Sequence, residues 1–363
     1  GGMVVRDQMV GPWQVPVADC AVTTVTYDSN AGEAMAMGER TPLALINAPA
    51  SGRMAIGEAI TNIAAARIGD IKDIKLSANW MSAAGHPGED EKLYRTVQAV
   101  GMELCPALGI TIPVGKDSMS MRTAWQQQGE EKAVTSPMSL IITAFSPVLD
   151  VRKTVTPQLR TDRGDTALLF LDLAAGAQHM GGSILAQVNC EMGDTAPDLD
   201  SPALIKGFFD AMQASLEQGD ILAYHDRSDG GLLATLVEMS FAGHVGISVD
   251  VAGLGGDSIA ALFNEELGAV IQVTAARLDA VVERFTDCGV SVHQIGGLND
   301  LQQIEITQNA RRFFSRPRVD LQRTWSETSY RMAALRDNTE CAWEEFSDIK
   351  SSDPGLSASL TYD

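Results

Sequence analysis

Basic residues are scarce in this 363-residue chain: 27 lysines and arginines face 47 aspartates and glutamates, for a formal net charge of -20. A surface of that sign repels nucleic acid and anionic membranes, so neither is expected as a partner. An anionic substrate would need a local cationic pocket or metal ions to hold it. Cysteine is scarce too. The five cysteines, Cys20, Cys105, Cys190, Cys288 and Cys341, are an odd number, widely spaced and without a CxxC pair. This argues against a disulfide framework or structural zinc and predicts a reducing, cytoplasmic setting. No apolar run approaches the ~18 residues of a membrane span. There is no Walker A pattern and no GxGxxG after a strand, so the common nucleotide loops are not signalled. Internal repeats are also lacking. The first residues, Gly1 to Asp7, have neither an initiator methionine nor the organisation of a signal peptide, so a segment of a longer chain is expected.

What is present is globular. Hydrophobic residues make up 45% and charged residues 20%, enough for a well-buried core and for two ordinary domains. A β-rich run covers 20–27, a helical alanine-rich pattern 51–68, a short strand 74–80 and a helix 89–108 that closes at Gly109. Buried strands are expected at 110–114 and 138–145. Pro147, Pro157 and the run Arg160 to Gly164 mark a linker. A second unit follows, with a strand at 167–171, helices near 183–191, 201–218 and 230–242, strands near 245–251 and 268–274, and a helix at 277–287. The reading is α/β (α+β), with units at 1–150 and 166–316 joined by a linker at 151–165. Residues 317–363 form a last helix, 319–336, and the start of a further linker.

Four segments can carry chemistry. Glu58 and Asn62 stand four apart on one face of an alanine-rich helix whose neighbouring positions lack a cation. Carboxylate and amide oxygens together suit Mg²⁺, and a solvated helix face is the bland alternative. In His225-Asp226-Arg227-Ser228-Asp229-Gly230-Gly231, an apolar run meets a helix; Asp226 reads as a metal ligand and Asp229 as a helix cap. In Pro113 to Ser120, Gly115 permits close backbone approach. Lys116 and the serine hydroxyls can engage a phosphate there, or simply form a polar turn. Gly181-Gly182-Ser183 opens a helix, offering either backbone N–H groups to an anion or a Ser183 cap. His86, His179, His244 and His293 lack metal-ligand spacing.

These segments also occur in a familiar order: Arg6-Asp7-Gln8-Met9-Val10-Gly11-Pro12-Trp13-Gln14, Gly57-Glu58-Ala59 with Thr61-Asn62, Ser77-Ala78-Asn79-Trp80-Met81, Gly115 to Ser120, His225 to Gly231, and Phe263-Asn264-Glu265-Glu266-Leu267-Gly268. Together they resemble the large single-chain form of phosphoribosylformylglycinamidine synthase, over nearly the whole chain. The chain departs from the family near Ser29, where Ser29-Asn30-Ala31-Gly32 stands in place of a tyrosine-bearing pattern.

The resemblance implies the second half of a duplicated synthetase core. Each half is like an aminoimidazole ribonucleotide synthetase: an N-terminal subdomain contributes strands to a shared barrel, and an α/β subdomain follows. It implies ATP- and glutamine-dependent conversion of formylglycinamide ribonucleotide to formylglycinamidine ribonucleotide in purine biosynthesis. The first half, with the family's catalytic histidine, and the ammonia-supplying glutaminase domain would lie outside this chain. No catalytic residue is therefore assigned here, and the chain alone is expected to be inactive. Asp19, Glu58, Asn62 and Asp226 match the metal ligands of an auxiliary Mg²⁺–ADP site. Lys116, Asp117 and Ser118 match a phosphate-contacting loop. Barrel strands without their other half would leave an open edge, so a homodimer through that edge is expected.

Overall fold

The computed structural model describes residues 2–356 and 359. The first unit contains β1 (Val4–Arg6), β2 (Ala21–Thr24), β3 (Gly32–Glu39), α1 (Ala48–Ile63), β4 (Lys75–Met81), α2 (Glu89–Gln98), α3 (Cys105–Leu108), β5 (Thr111–Ser118), β6 (Arg122–Gln127), β7 (Glu130–Thr135) and β8 (Ser139–Val148). Six of the strands form one sheet in the order β1-β2-β3-β8-β4-β5, antiparallel except for the β4–β5 pair. Along β3, buried Ala34, Ala36 and Gly38 alternate with exposed Glu33, Met35, Met37 and Glu39, the period of a strand covered on one face. Helix α1 is that cover. Its N-cap is Asn47, whose side chain accepts from the Ala50 N–H at 3.1 Å. Gly38 lets strand and helix backbones meet, because a Cβ there would lie 2.1 Å from the Ala55 carbonyl oxygen.

The second unit contains β9 (Thr166–Asp172), α4 (Ile184–Val188), α5 (Pro202–Gln218), β10 (Ile221–Asp226), α6 (Gly231–Gly243), β11 (Gly246–Asp250), α7 (Ser258–Phe263), β12 (Gly268–Thr274), α8 (Leu278–Asp287), β13 (Ser291–Asn299), β14 (Gln303–Gln308) and β15 (Arg311–Pro317), followed by α9 (Arg318–Arg336) and α10 (Thr339–Asp348). The sheet order is β10-β12-β9-β13-β11-β14-β15. Both faces are covered, so the central strands β9 and β12 are nearly continuous runs of buried residues. One face joins Ile56, Ile60 and Ile63 of α1 to Phe208, Phe209 and Met212 of α5 in a core shared by both units. The other packs Leu232, Leu236 and Met239 of α6 against Val270 and Ile304.

The fold is thus mixed α/β in two parts, with differences of detail. The six-stranded sheet stays open and does not close into a barrel within this chain. The helix expected over 89–108 contains a π-helical stretch, Ala99–Leu104. The polar turn expected around 115–118 is instead the end of β5, paired with β4 at Asn79–Lys116, Trp80–Asp117 and Met81–Ser118. Gly115 serves that pairing, since a Cβ there would lie 2.5 Å from the Ala78 carbonyl oxygen. The hairpin β6–β7 escapes a periodicity search because almost every residue is exposed. Its turn, Gln128-Gly129, has φ of 55° and 83°, the positive pair of a tight two-residue hairpin. Helix α10 stands where a linker was expected. Residues 357, 358 and 360–363 of that tail lie outside the described residues. No helix among those described is long and apolar enough to cross a membrane.

Candidate functional site

Strand β10 enters the junction of the two units and ends in His225 and Asp226, 8% and 4% exposed. Two anchors hold this end. The Tyr224 hydroxyl donates to the Thr61 carbonyl of α1 at 2.7 Å, and the Thr235 hydroxyl of α6 donates to the Asp226 carbonyl at 2.9 Å. The segment before β2 brings in Asp19. Its Oδ1 accepts from His225 Nδ1 at 2.9 Å and from the Asp226 backbone N–H at 3.0 Å. Asp19, His225 and Asp226 thereby form a group whose ligand atoms lie within 4.8 Å of one another.

The electrostatics of this group are those of buried carboxylates crowded against one another. Burial, then the nearby Asp19, push the Asp226 carboxyl well above its ordinary range, with Glu58 adding to the effect. Burial works against a charged His225, but Asp19 and Glu238 outweigh it and hold the imidazole well above its ordinary value. Asp19 Oδ2 is buried and has no hydrogen-bond partner, and the Asp226 carboxylate has only a 3.5 Å contact from the Thr61 hydroxyl. Two buried carboxylates, one with an orphaned oxygen, fit a hard divalent cation. His225 does not fit as a ligand, because both its ring nitrogens already face carboxylate oxygens, Asp19 Oδ1 and Glu238 Oε2, each at 2.9 Å.

Helix α1 places Glu58 near enough to this group to act on Asp226, with Asn62 one turn further along the same helix. Each ties the end of β3 to α1: Glu58 Oε2 accepts from the Glu39 N–H and Asn62 Nδ2 donates to the Met37 carbonyl, both at 2.9 Å. Glu58 Oε1 and Asn62 Oδ1 take no part in those bonds. Burial raises the Glu58 carboxyl despite the opposing effect of Arg40.

Arg40, 3% exposed, is the cation that the sequence did not reveal. It stands 3.3 Å from Glu58, 3.6 Å from Asp229 and 3.5 Å from Glu265. Burial opposes its charge, yet these carboxylates raise its pKa above the ordinary value. Glu265 in turn accepts from the Ile184 and Gly230 N–H groups, each at 2.8 Å. Beyond it, buried Glu266 accepts from His179 Nδ1 at 2.7 Å. The only sequence signal for this second layer is Asn264-Glu265-Glu266, an acidic run directly before the buried strand β12. Nothing in the sequence marked Arg40.

The structure therefore brings Asp19 and Asp226 into one cluster, with Glu58 of α1 close enough to act on Asp226, while Asn62, one turn further along α1, contacts β3. It leaves Lys116, Asp117 and Ser118 apart, on the edge strand β5, with Lys116 and Asp117 exposed. Asp229 is not a helix cap. Gly230, at φ 82°, holds that position, and the largely exposed Asp229 side chain faces Arg40 instead. Ser183 does cap α4, accepting from the Ala186 N–H at 3.2 Å. The N–H groups of Gly181 and Gly182 are spent on the Thr195 and Met192 carbonyls, so the glycine pair offers no anion cradle.

Comparison with known proteins bears on both units. Residues 1–147 match the family described as the FGAR-AT PurM_N-like domain, and residues 166–308 match the C-terminal domain of AIR synthase related proteins. The chain carries an AIR-synthase-type two-domain fold. Among solved structures, PurLQS from Thermotoga maritima is 12% identical over 86% of this chain and 47% of its own, with a TM-score of 0.61. T. maritima PurL complexed with FGAR is 12% identical over 86% and 49%, also at 0.61. The hydrogenase maturation protein HypE is 14% identical over 80% of this chain and 90% of its own, at 0.54. This chain spans about half the length of the PurL chains.

Proposed function

We propose that this chain is the second half of the synthetase core of a phosphoribosylformylglycinamidine synthase, the ATP- and glutamine-dependent enzyme that makes formylglycinamidine ribonucleotide. In this reading Asp19, Glu58, Asn62 and Asp226 hold Mg²⁺ with ADP at an auxiliary site. The magnesium would neutralise the nucleotide phosphates and relieve the repulsion between Asp19 and Asp226. Lys116, Asp117 and Ser118 would face the missing half across the open sheet. That sheet would be completed by the first half in the whole protein, or by a second copy of this chain. The observation that carries the reading is the match of residues 1–147 to a domain family named for that enzyme.

Release of bound nucleotide by heat, with anion-exchange and magnesium assays of the supernatant, tests it. Near-stoichiometric ADP and Mg²⁺ are expected. An empty protein that also fails to bind added Mg·ADP would overturn the auxiliary site. Asp226→Asn should remove the Mg·ADP-induced thermal shift, worth about 2–3 kcal/mol at 100 times Kd. The same change should leave the ligand-free protein no less stable, because it removes a carboxylate held well above its ordinary pKa.

A second reading is a self-sufficient ATP-dependent enzyme, favoured by the coverage of 90% of HypE. ATP turnover by the chain alone would support it. Its absence, with formylglycinamidine ribonucleotide formed only when the first half is added, would support the first reading.

A further inference from the structure

His225, excluded as a ligand, is the middle of a hydrogen-bonded file that starts on another helix. The Trp325 Nε1–H of α9 donates to Glu238 Oε1 at 2.9 Å. Glu238, on α6, presents its other oxygen to His225 Nε2 at 2.9 Å. His225 Nδ1 faces Asp19 Oδ1 at 2.9 Å, and the Asp226 N–H reaches the same oxygen at 3.0 Å. The file ends on Asp19 Oδ2, the buried oxygen without a partner.

A carboxylate with one oxygen fixed by two donors has its second oxygen fixed in direction. A ring whose two nitrogens both face carboxylates cannot rotate without losing one of them. Each link therefore sets the orientation of the next, and α9 fixes where Asp19 Oδ2 points. Outer contacts of this kind orient a metal's ligands without touching the metal. Trp325 also lines the cavity of about 760 Å³ between the 9–16 segment, α9 and α10, so the file runs from that cavity to the carboxylate pair.

We infer that Glu238 and Trp325 are positioning residues for a divalent cation at Asp19 and Asp226, acting through His225. The inference rests on the cation-site reading above and extends it to helix α9, which contributes no ligand.

Mn²⁺ titration of the full chain, followed by electron paramagnetic resonance, tests it alongside thermal unfolding. Glu238→Gln keeps the shape of the side chain but replaces one acceptor oxygen with a donor. It should weaken Mn²⁺ binding about tenfold. Trp325→Phe removes only the first donor and should weaken it about threefold, the effect falling with distance along the file. Asp226→Asn should abolish binding. Loss in Asp226→Asn with unchanged affinity in both Glu238→Gln and Trp325→Phe would overturn the positioning role and leave the cation site standing. Lowered thermal stability at unchanged Mn²⁺ affinity would mean that the file is structural only, and would overturn the role equally. No saturable Mn²⁺ binding by the unaltered chain would overturn the site and the inference together. Should Glu238→Gln fail to fold, Trp325→Phe, altered at a partly exposed position, decides alone.

Discussion

Asp19 and Asp226 lie 9% and 4% exposed where α1, β10 and the segment before β2 converge. Lys116 and Asp117 lie open to solvent on β5, at the edge of a sheet with no strand beyond it among the described residues. Both places had a case from sequence, but they are built differently. At the junction the backbone and most side chains are held by partners from distant parts of the chain, separated by up to 207 residues, and Asp19 Oδ2 is left as the orphan. On β5 the backbone pairs with β4 on one side only. A buried polar group must be satisfied by specific neighbours, so it is over-determined. An exposed edge is satisfied by water and is free to meet another chain. The junction can form its cluster unaided, whereas the β5 edge depends on whatever covers it.

The sharpest way to break this comparison is to disturb the seat of α1. Gly38→Ala would place a methyl 2.1 Å from the Ala55 carbonyl oxygen and 2.5 Å from the Ala59 nitrogen, both backbone atoms that cannot rotate away. The end of β3 would have to lift from α1, breaking its ties to Glu58 and Asn62. A loss of about 3 kcal/mol in chemical denaturation is expected, together with weaker Mg·ADP binding. The same glycine-to-alanine change at Gly101, where a Cβ meets nothing within 4 Å, should cost little. Equal effects at the two positions would refute the claim that the strand–helix contact sets the site.

Acid offers a milder test at the far end of α6. His244 stacks on Trp13 with ring centroids 4.2 Å apart, and its Nε2 accepts from Arg318 Nη2 at 2.9 Å. Burial, then the Arg318 charge, lower its pKa from 6.5 to about 4. A depressed folded-state pKa means stability that is present above pH 6.5 and is lost as pH falls from there through about 4. Because the ring is only half-buried, the loss should be on the order of 1 kcal/mol after solvent screening. His244→Asn keeps a residue that tolerates the left-handed φ of 51° at this cap and should flatten that part of the stability–pH curve. An unchanged slope would show that His244 does not titrate against Arg318.

How much could be read from sequence follows the same division. Strands such as β12 declare themselves as short continuous apolar runs, and helices such as α5 by the helical period of their buried face. That Glu58 and Asn62 share one helix face was legible from their spacing of four. Asp226 was legible from its place after an apolar strand. Asp19 was named only through family resemblance, since nothing local distinguishes one aspartate in Val17-Ala18-Asp19-Cys20. Arg40, Glu238 and Trp325 were invisible, because their roles arise from contacts that cross between elements. The hairpin β6–β7 was missed for the opposite reason: with neither face covered, nothing constrains its pattern.

The smallest effect should come from β5 itself. Lys116→Ala removes an exposed charge that no described contact holds in place, three strands from β3 in the order β3-β8-β4-β5. Stability should stay within about 0.5 kcal/mol, the usual range for surface positions. Mg·ADP affinity at the junction should stay within about twofold, as expected of independent sites. If Lys116 contacts phosphate across the open sheet, its loss should be felt only after a second half is supplied, as a weaker KM for the nucleotide or ribonucleotide of the assembled enzyme. A tenfold loss of Mg·ADP affinity in the isolated chain would instead join the edge strand to the junction and erase the distinction between the two regions.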